Sequence, residues 1–187
     1  MAYLSAKRCR CKSGDLITVR SAVLDDAAAL IDHSTSVLLE STFLISQSDE
    51  LTLTEEQRQD WIRQHAASPT SLLLVAEVDG AIVGMLNFAC GERRRLAHRG
   101  TLGVSVRKDH QSIGVGSALL ETLIEWSEAH PAVEKLCLAV VETNGPAIQL
   151  YQKFGFAEEG RRQREVKLGP GQYLDDILMY RFVDVAK

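Results

Sequence analysis

Apolar and polar residues alternate along this chain in two periods, and the switches between them mark its elements. Ile17-Thr18-Val19-Arg20 alternates as a first strand does. Helical spacing predicts a helix from Ala27 to about Glu40, with Asp25 or Asp26 placed to cap it. Thr54-Glu55-Glu56-Gln57 has the reciprocal pattern of a capping box, so a second helix should start there and reach about Ala67, where Pro69 closes it. Residues 71–78 and 81–89 are apolar runs separated by Asp79-Gly80, a strong hairpin signal, and form an antiparallel pair. A strand over 100–106, a helix over 114–129 stopped by Pro131 and a strand over 135–141 follow. Pro146 suits the first turn of a helix over 146–154, and Gly155 is placed to end it. A last hairpin pairs 161–168 with 173–182 across Gly169-Pro170-Gly171. Residues 1–15 lack periodicity and read as a poorly ordered lead-in, leaving 16–187 as a single domain. The expected architecture is mixed α/β, with a mostly antiparallel central sheet of about six to seven strands flanked by about four helices.

The strand over 100–106 leads through a charged turn into Gln111-Ser112-Ile113-Gly114-Val115-Gly116-Ser117 and then a helix. Glycines at 114 and 116 let the backbone approach a ligand closely, and their N–H groups join the free donors of a helix start, where an anion is the expected guest. A Walker loop would need Gly-Lys-Ser/Thr, but Ser117-Ala118 follows Gly116. A dinucleotide fingerprint would need a small residue where Leu119 stands. A purely structural strand-to-helix turn is the remaining alternative.

A second motif follows in Asn144-Gly145-Pro146-Ala147-Ile148-Gln149-Leu150-Tyr151-Gln152-Lys153-Phe154-Gly155-Phe156. With these two segments the chain resembles the GCN5-related N-acetyltransferase (GNAT) superfamily. Gln111, Gly114 and Gly116 match its pyrophosphate loop, and Asn144, Ala147, Leu150, Tyr151, Gly155 and Phe156 match its Asn-x-x-Ala-x-x-Leu-Tyr-x-x-x-Gly-Phe element. The resemblance runs from about Leu72 to Val183 and is weaker from Ile17 to Thr70. It implies a GNAT-like fold and acetyl-CoA as acetyl donor. The segment 111–117 would hold the pyrophosphate, backbone near Val104 and Val106 would pair with the pantetheine amides, and Asn144 would contact the cofactor while also capping a helix.

Acetyl transfer from a thioester to an amine needs a held thioester, a neutral amine and a proton for the departing thiolate. Tyr151 stands where the superfamily often carries the proton donor; the alternative is a packed aromatic. Relatives often place a glutamate on the strand before the loop, yet 101–106 contains no carboxylate. Glu142 and Glu77 are the candidate bases, and an amine that enters already neutral needs none. Glu40 and Phe43 are candidates for receiving an ammonium-bearing acceptor. Gly171-Gln172-Tyr173-Leu174-Asp175-Asp176-Ile177-Leu178-Met179 resembles the Gly-x-Tyr-x-Asp-x-x-x-Met hairpin of acetyltransferases of amino acids, polyamines or ribosomal protein termini. The expected acceptor is the primary amine of a small molecule such as an amino acid or polyamine, with a protein N-terminus as runner-up. A catalytically silent acyl-CoA sensor is the reading from another class. The family also makes a homodimer an expectation.

Composition narrows the classes further. At 187 residues, 45% of them hydrophobic, the chain can bury one sizeable core. A net charge of −4 gives no general attraction to nucleic acid or anionic membrane, and Arg93-Arg94-Arg95 with His98 and Arg99 reads as a solvated loop. Cysteines at 9, 11, 90 and 137 have the spacing of neither a disulfide framework nor a zinc site, so no metal is expected. No apolar run approaches the roughly twenty residues that span a bilayer, and the start lacks a signal-peptide core, so the expected location is cytoplasmic.

Overall fold

The computed structural model describes residues 4–10, 14, 16–41, 43 and 53–183; Cys11 and parts of the expected lead-in and of the segment joining the first two helices lie outside them. One sheet of eight strands carries the fold: β1 (Lys7–Arg10), β2 (Leu16–Ser21), β3 (Ser71–Val78), β4 (Ala81–Cys90), β5 (Arg99–Val106), β6 (Lys135–Val141), β7 (Ala157–Gly169) and β8 (Gln172–Phe182). Their order across the sheet is β1-β2-β3-β4-β5-β6-β8-β7. Every neighbouring pair is antiparallel except β5 with β6. Among the described residues four α-helices accompany it: α1 (Ala27–Glu40), α2 (Glu55–Ala67), α3 (Val115–Glu128) and α4 (Gly145–Lys153).

The sheet exceeds the expected six to seven strands because β1 falls within residues 1–15. Lys7-Arg8-Cys9-Arg10 offers no apolar alternation, so periodicity cannot reveal it. Long-range partners hold it instead: β1 pairs with β2 from Lys7↔Val19 to Arg10↔Leu16, and the Lys7 ammonium reaches Glu121 and Glu125 of α3 at 3.2 and 2.6 Å. The cap of α2 forms as expected, with Thr54 Oγ1 accepting the Gln57 N–H and Gln57 Oε1 accepting the Thr54 N–H. The expected Asp25 or Asp26 cap does not form on α1. Asp26 instead accepts the Val23 N–H at 2.7 Å and a two-pronged contact from Arg20, which also holds Glu77 on β3.

Helices cover both faces of the sheet, and β3 shows why its sequence is an unbroken apolar run. Leu72 and Leu74 join the core beneath α3 with Phe88, Leu119, Leu123 and Leu136. Leu73 and Val75, pointing the other way, join Leu30 of α1 and Ile62 of α2. No described helix is long and apolar enough to cross a membrane.

Two places in this core carry sharp expectations. A Cβ at Gly100, at the start of β5, would run into the Phe88 ring and approach Ala89 O at 2.9 Å. Gly100→Ala should therefore destabilise the fold by about 1–3 kcal/mol through overpacking, read from urea unfolding midpoints. His33 of α1 is fully buried, with Nε2 at 2.9 Å from Ser105 Oγ on β5 and Nδ1 without a partner. Burial, and then the charge of Arg107, push its pKa down to about 4. The unfolded imidazole takes its proton near pH 6.5, well before the folded one, so between these values the unfolded state binds more protons. Stability is complete above pH 6.5 and should fall by up to about 3 kcal/mol as pH drops to 4. In His33→Gln that slope should vanish from denaturation curves over the same window.

Candidate active site

The site begins where the sheet opens. β5 and β6 pair over only three residues, Arg99↔Lys135, Gly100↔Leu136 and Thr101↔Cys137. Beyond these, β5 keeps its partner β4 and β6 keeps β8, but the facing edges part. Which backbone groups face the gap follows from strand alternation. The Arg107 N–H donates to Val83 O on the β4 side, and Gly91 N–H donates to Arg99 O, so odd-numbered residues of β5 point their backbone groups at β4. Leu102, Val104 and Val106 therefore turn theirs toward the gap. Gln111 Nε2 reaches one of these, donating to Val106 O at 3.2 Å.

At the end of the gap, the loop into α3 is shaped by unusual backbone. Ser112 has φ +64° and Gly114 φ +115°. A Cβ on Gly114 would meet nothing within 4 Å, so conformation rather than space demands glycine there. Gly116 differs: its Cβ would stand 3.1 Å from Leu150 Cδ2, so this glycine lets α3 pack against α4. The first bond of α3 runs from Ala118 N–H to Gly114 O, leaving the N–H groups of Val115, Gly116 and Ser117 without intrahelical acceptors. Such a cluster of donors at the positive end of a helix suits a phosphate.

The opening continues as a cavity of about 490 Å³ between the parted strands and α1 and α2. Of the residues singled out from the sequence, Val104, Asn144, Tyr151 and Phe43 line it. Asn144 also caps α4, its Oδ1 accepting the Ala147 N–H at 3.3 Å. Tyr151 is 7% exposed, and its hydroxyl makes no hydrogen bond to the described residues. Burial lifts that phenol to about 12. Val106 and the stretch 111–117 lie outside the cavity lining, toward the loop end of the gap.

The two glutamates weighed as bases are occupied elsewhere. Glu142 accepts the Asp175 N–H at 3.0 Å and lies 3.8 Å from Arg161, fastening the end of β6 to β8 outside the cavity lining. Glu77 is held by Arg20. Glu40 is exposed at the end of α1 and is not part of the lining.

Three groups escaped sequence reasoning. Asp176 of β8, 2% exposed, is the only carboxylate among the described lining residues; burial pushes its carboxyl up, partly opposed by Arg162 at 4.0 Å. Its signal was its position between Leu174 and Leu178 on one face of an alternating strand. Arg58 of α2 lines the same cavity at 6% exposure, and its spacing to Trp61 and Ile62 placed it on the apolar stripe of the helix. His33 sits likewise between Leu30 and Val37 on α1, and through Ser105 it reaches the cavity wall.

Comparison with known proteins agrees with this geometry. The family model described as Acetyltransferase (GNAT) family matches residues 37–156. The L-amino acid N-acetyltransferase AaaT of Escherichia coli is 35% identical over 121 residues, which cover 65% of this chain and 74% of that protein. The crystal structure of a GNAT-family acetyltransferase from Streptococcus pneumoniae superposes with a TM-score of 0.85 at 33% identity, covering 89% of this chain and 99% of that one. The protein yncA of Salmonella typhimurium, solved with its cofactor acetyl-CoA, shares the fold with a TM-score of 0.80 at 22% identity, over 91% and 96% of the two chains. Parted strands, a donor-rich loop and a matched family model together identify the chain as a member of the GNAT family of N-acetyltransferases, with acetyl-CoA as its acetyl donor.

Proposed function

We propose that the protein acetylates the primary amine of a small molecule such as an amino acid or polyamine, with Tyr151 as proton donor and Asp176 as proton acceptor. The observation that carries this reading is that a buried phenol and the only carboxylate among the described lining residues share one cavity at the opening of the sheet. The E. coli relative, named for acetylating L-amino acids, supports the small-molecule acceptor.

The residues have separable tasks. Backbone N–H groups of Val115, Gly116 and Ser117 would hold the pyrophosphate, and the gap-facing groups of Val104 and Val106 the pantetheine arm. Asn144, which also lines the cavity, would contact the cofactor as well. When bound, acetyl-CoA supplies an acetyl thioester whose thiolate must be protonated as it leaves. Tyr151 keeps its proton at every working pH because burial has raised its pKa. The same burial raises the pKa of a thiolate released beside it, so donor and acceptor rise together. Asp176 is drawn toward neutral pH by its burial, which makes it a better proton acceptor than a solvated aspartate. Among the described lining residues no other carboxylate competes for that task.

A panel of primary amines assayed for thiol release with acetyl-CoA tests the function directly; release with none of them would reject it. Tyr151→Phe keeps the ring and removes the hydroxyl, and single-turnover acetylation should slow by roughly 10²–10⁴-fold with acetyl-CoA affinity little changed. An undiminished rate would return Tyr151 to a packing role. Asp176→Asn keeps the shape of the carboxyl while removing its basicity. In the wild type kcat/KM should fall as pH drops through the raised pKa of Asp176, since only the ionised form takes a proton. In the variant that limb should give way to one set by the acceptor's own amine, with kcat/KM lowered about 10²-fold or more at neutral pH. A limb that stays in place after the substitution would exclude Asp176 as the base.

A further inference from the structure

The least explained charge in the molecule is Arg58. Its side chain rises from the first turn of α2 into the cavity wall and is only 6% exposed. One guanidinium nitrogen, Nη2, donates to Ser34 Oγ at 3.1 Å, and the guanidinium carbon lies 4.9 Å from the Trp61 ring centroid. Nε is buried without a hydrogen-bond partner among the described residues. Arg58 forms no ion pair with any described carboxylate, and burial depresses its pKa. The guanidinium nevertheless stays charged, because its reference pKa lies far above any working pH.

A buried, unpaired cation is costly, and folded proteins keep such charges paired. Here Arg58 lines a cavity, so a ligand bound there can supply the missing partner. A planar fork of N–H donors is matched by a carboxylate, which accepts two of them at once. At another wall of the same cavity stands Asp176, the only described carboxylate there, while Val37, Leu38, Trp61 and Met85 line the space with apolar surface. A cation, an anion and an apolar lining complement a zwitterion with an apolar side chain.

Building on the acetyltransferase reading above, we infer that the acceptor is an α-amino acid with an apolar side chain, and that Arg58 receives its carboxylate while its amino group is presented for acetylation. This separates three acceptor classes that share a primary amine. Polyamines carry only cations, which Arg58 repels. A protein N-terminus has an amide where a free amino acid has its carboxylate, so it would leave the guanidinium unpaired.

The test uses three amines with one side chain: L-leucine, L-leucinamide and 3-methylbutylamine, assayed with the full chain and acetyl-CoA. L-leucine should be preferred over both by roughly 10–100-fold in kcat/KM, the worth of a charge-assisted hydrogen-bonded pair. The less basic amine of leucinamide is more often neutral, so intrinsic reactivity biases the comparison against this outcome. Equal or better use of leucinamide or 3-methylbutylamine, or transfer to none of the three while acetyl-CoA still binds, would overturn the inference. Failure to bind acetyl-CoA would instead sink the acetyltransferase reading beneath it. In Arg58→Gln the preference for L-leucine over 3-methylbutylamine should collapse, chiefly through KM for L-leucine, and Arg58→Lys should restore part of it. A merely structural arginine would lower both amines alike and leave their ratio intact, which counts against the proposal. The wild-type comparison decides the matter on its own if a variant does not fold.

Discussion

The parting of β5 from β6 after three paired residues is the constraint on which the rest of the structure depends. A parallel pair that stayed zipped would satisfy its backbone groups internally and present only side chains to a ligand. By separating beyond Thr101 and Cys137, the two strands leave backbone donors and acceptors of Leu102, Val104 and Val106 facing an opening. Such groups are obligatory hydrogen-bonding sites and need an extended ligand or water to satisfy them. The loop into α3 then adds donors at the end of that opening. A long cofactor with amides along its arm and phosphates at its end answers both needs with one molecule.

The same separation produces a cavity in which polar groups are few and consequential. Tyr151, Asp176 and Arg58 are each more than nine-tenths buried among mostly apolar neighbours. With so little of each side chain exposed, a charge or proton acts more strongly than in bulk water, and each of these groups is carried by an element of secondary structure. Tyr151 sits on α4, anchored by the Asn144 cap, while Asp176 lies in the β8 ladder opposite Val141. Arg58 is braced by Trp61 and Ser34.

Most of the fold was legible because local chemistry agreed with the final structure. The Thr54–Gln57 box, the Asp79-Gly80 turn and the Asn144-Gly145-Pro146 helix start each form where their sequence places them. β1 was not legible, since its stability comes from a neighbouring strand and from glutamates more than a hundred residues away. In the site, the glycine loop and Tyr151 lie in recognisable motifs. Glu142 looks available in the sequence as a strand-end carboxylate, and its hydrogen bond to the Asp175 backbone is visible only in the structure. Arg58 and Asp176 stayed hidden for the opposite reason: charged residues in sequence are read as solvent-facing, and only packing of distant elements around them makes them buried.

Arg58 also sets function and robustness against one another. A guanidinium so largely buried, with no counter-charge among the described residues, weakens the ligand-free fold, whereas a well-packed apolar side chain of similar length at that position would strengthen it. A selection for heat resistance alone would tend to discard this arginine, and the sturdier protein so obtained would have lost its means of telling one amine from another. The natural chain thus keeps its most discriminating residue in the place where the unliganded fold can least easily accommodate it.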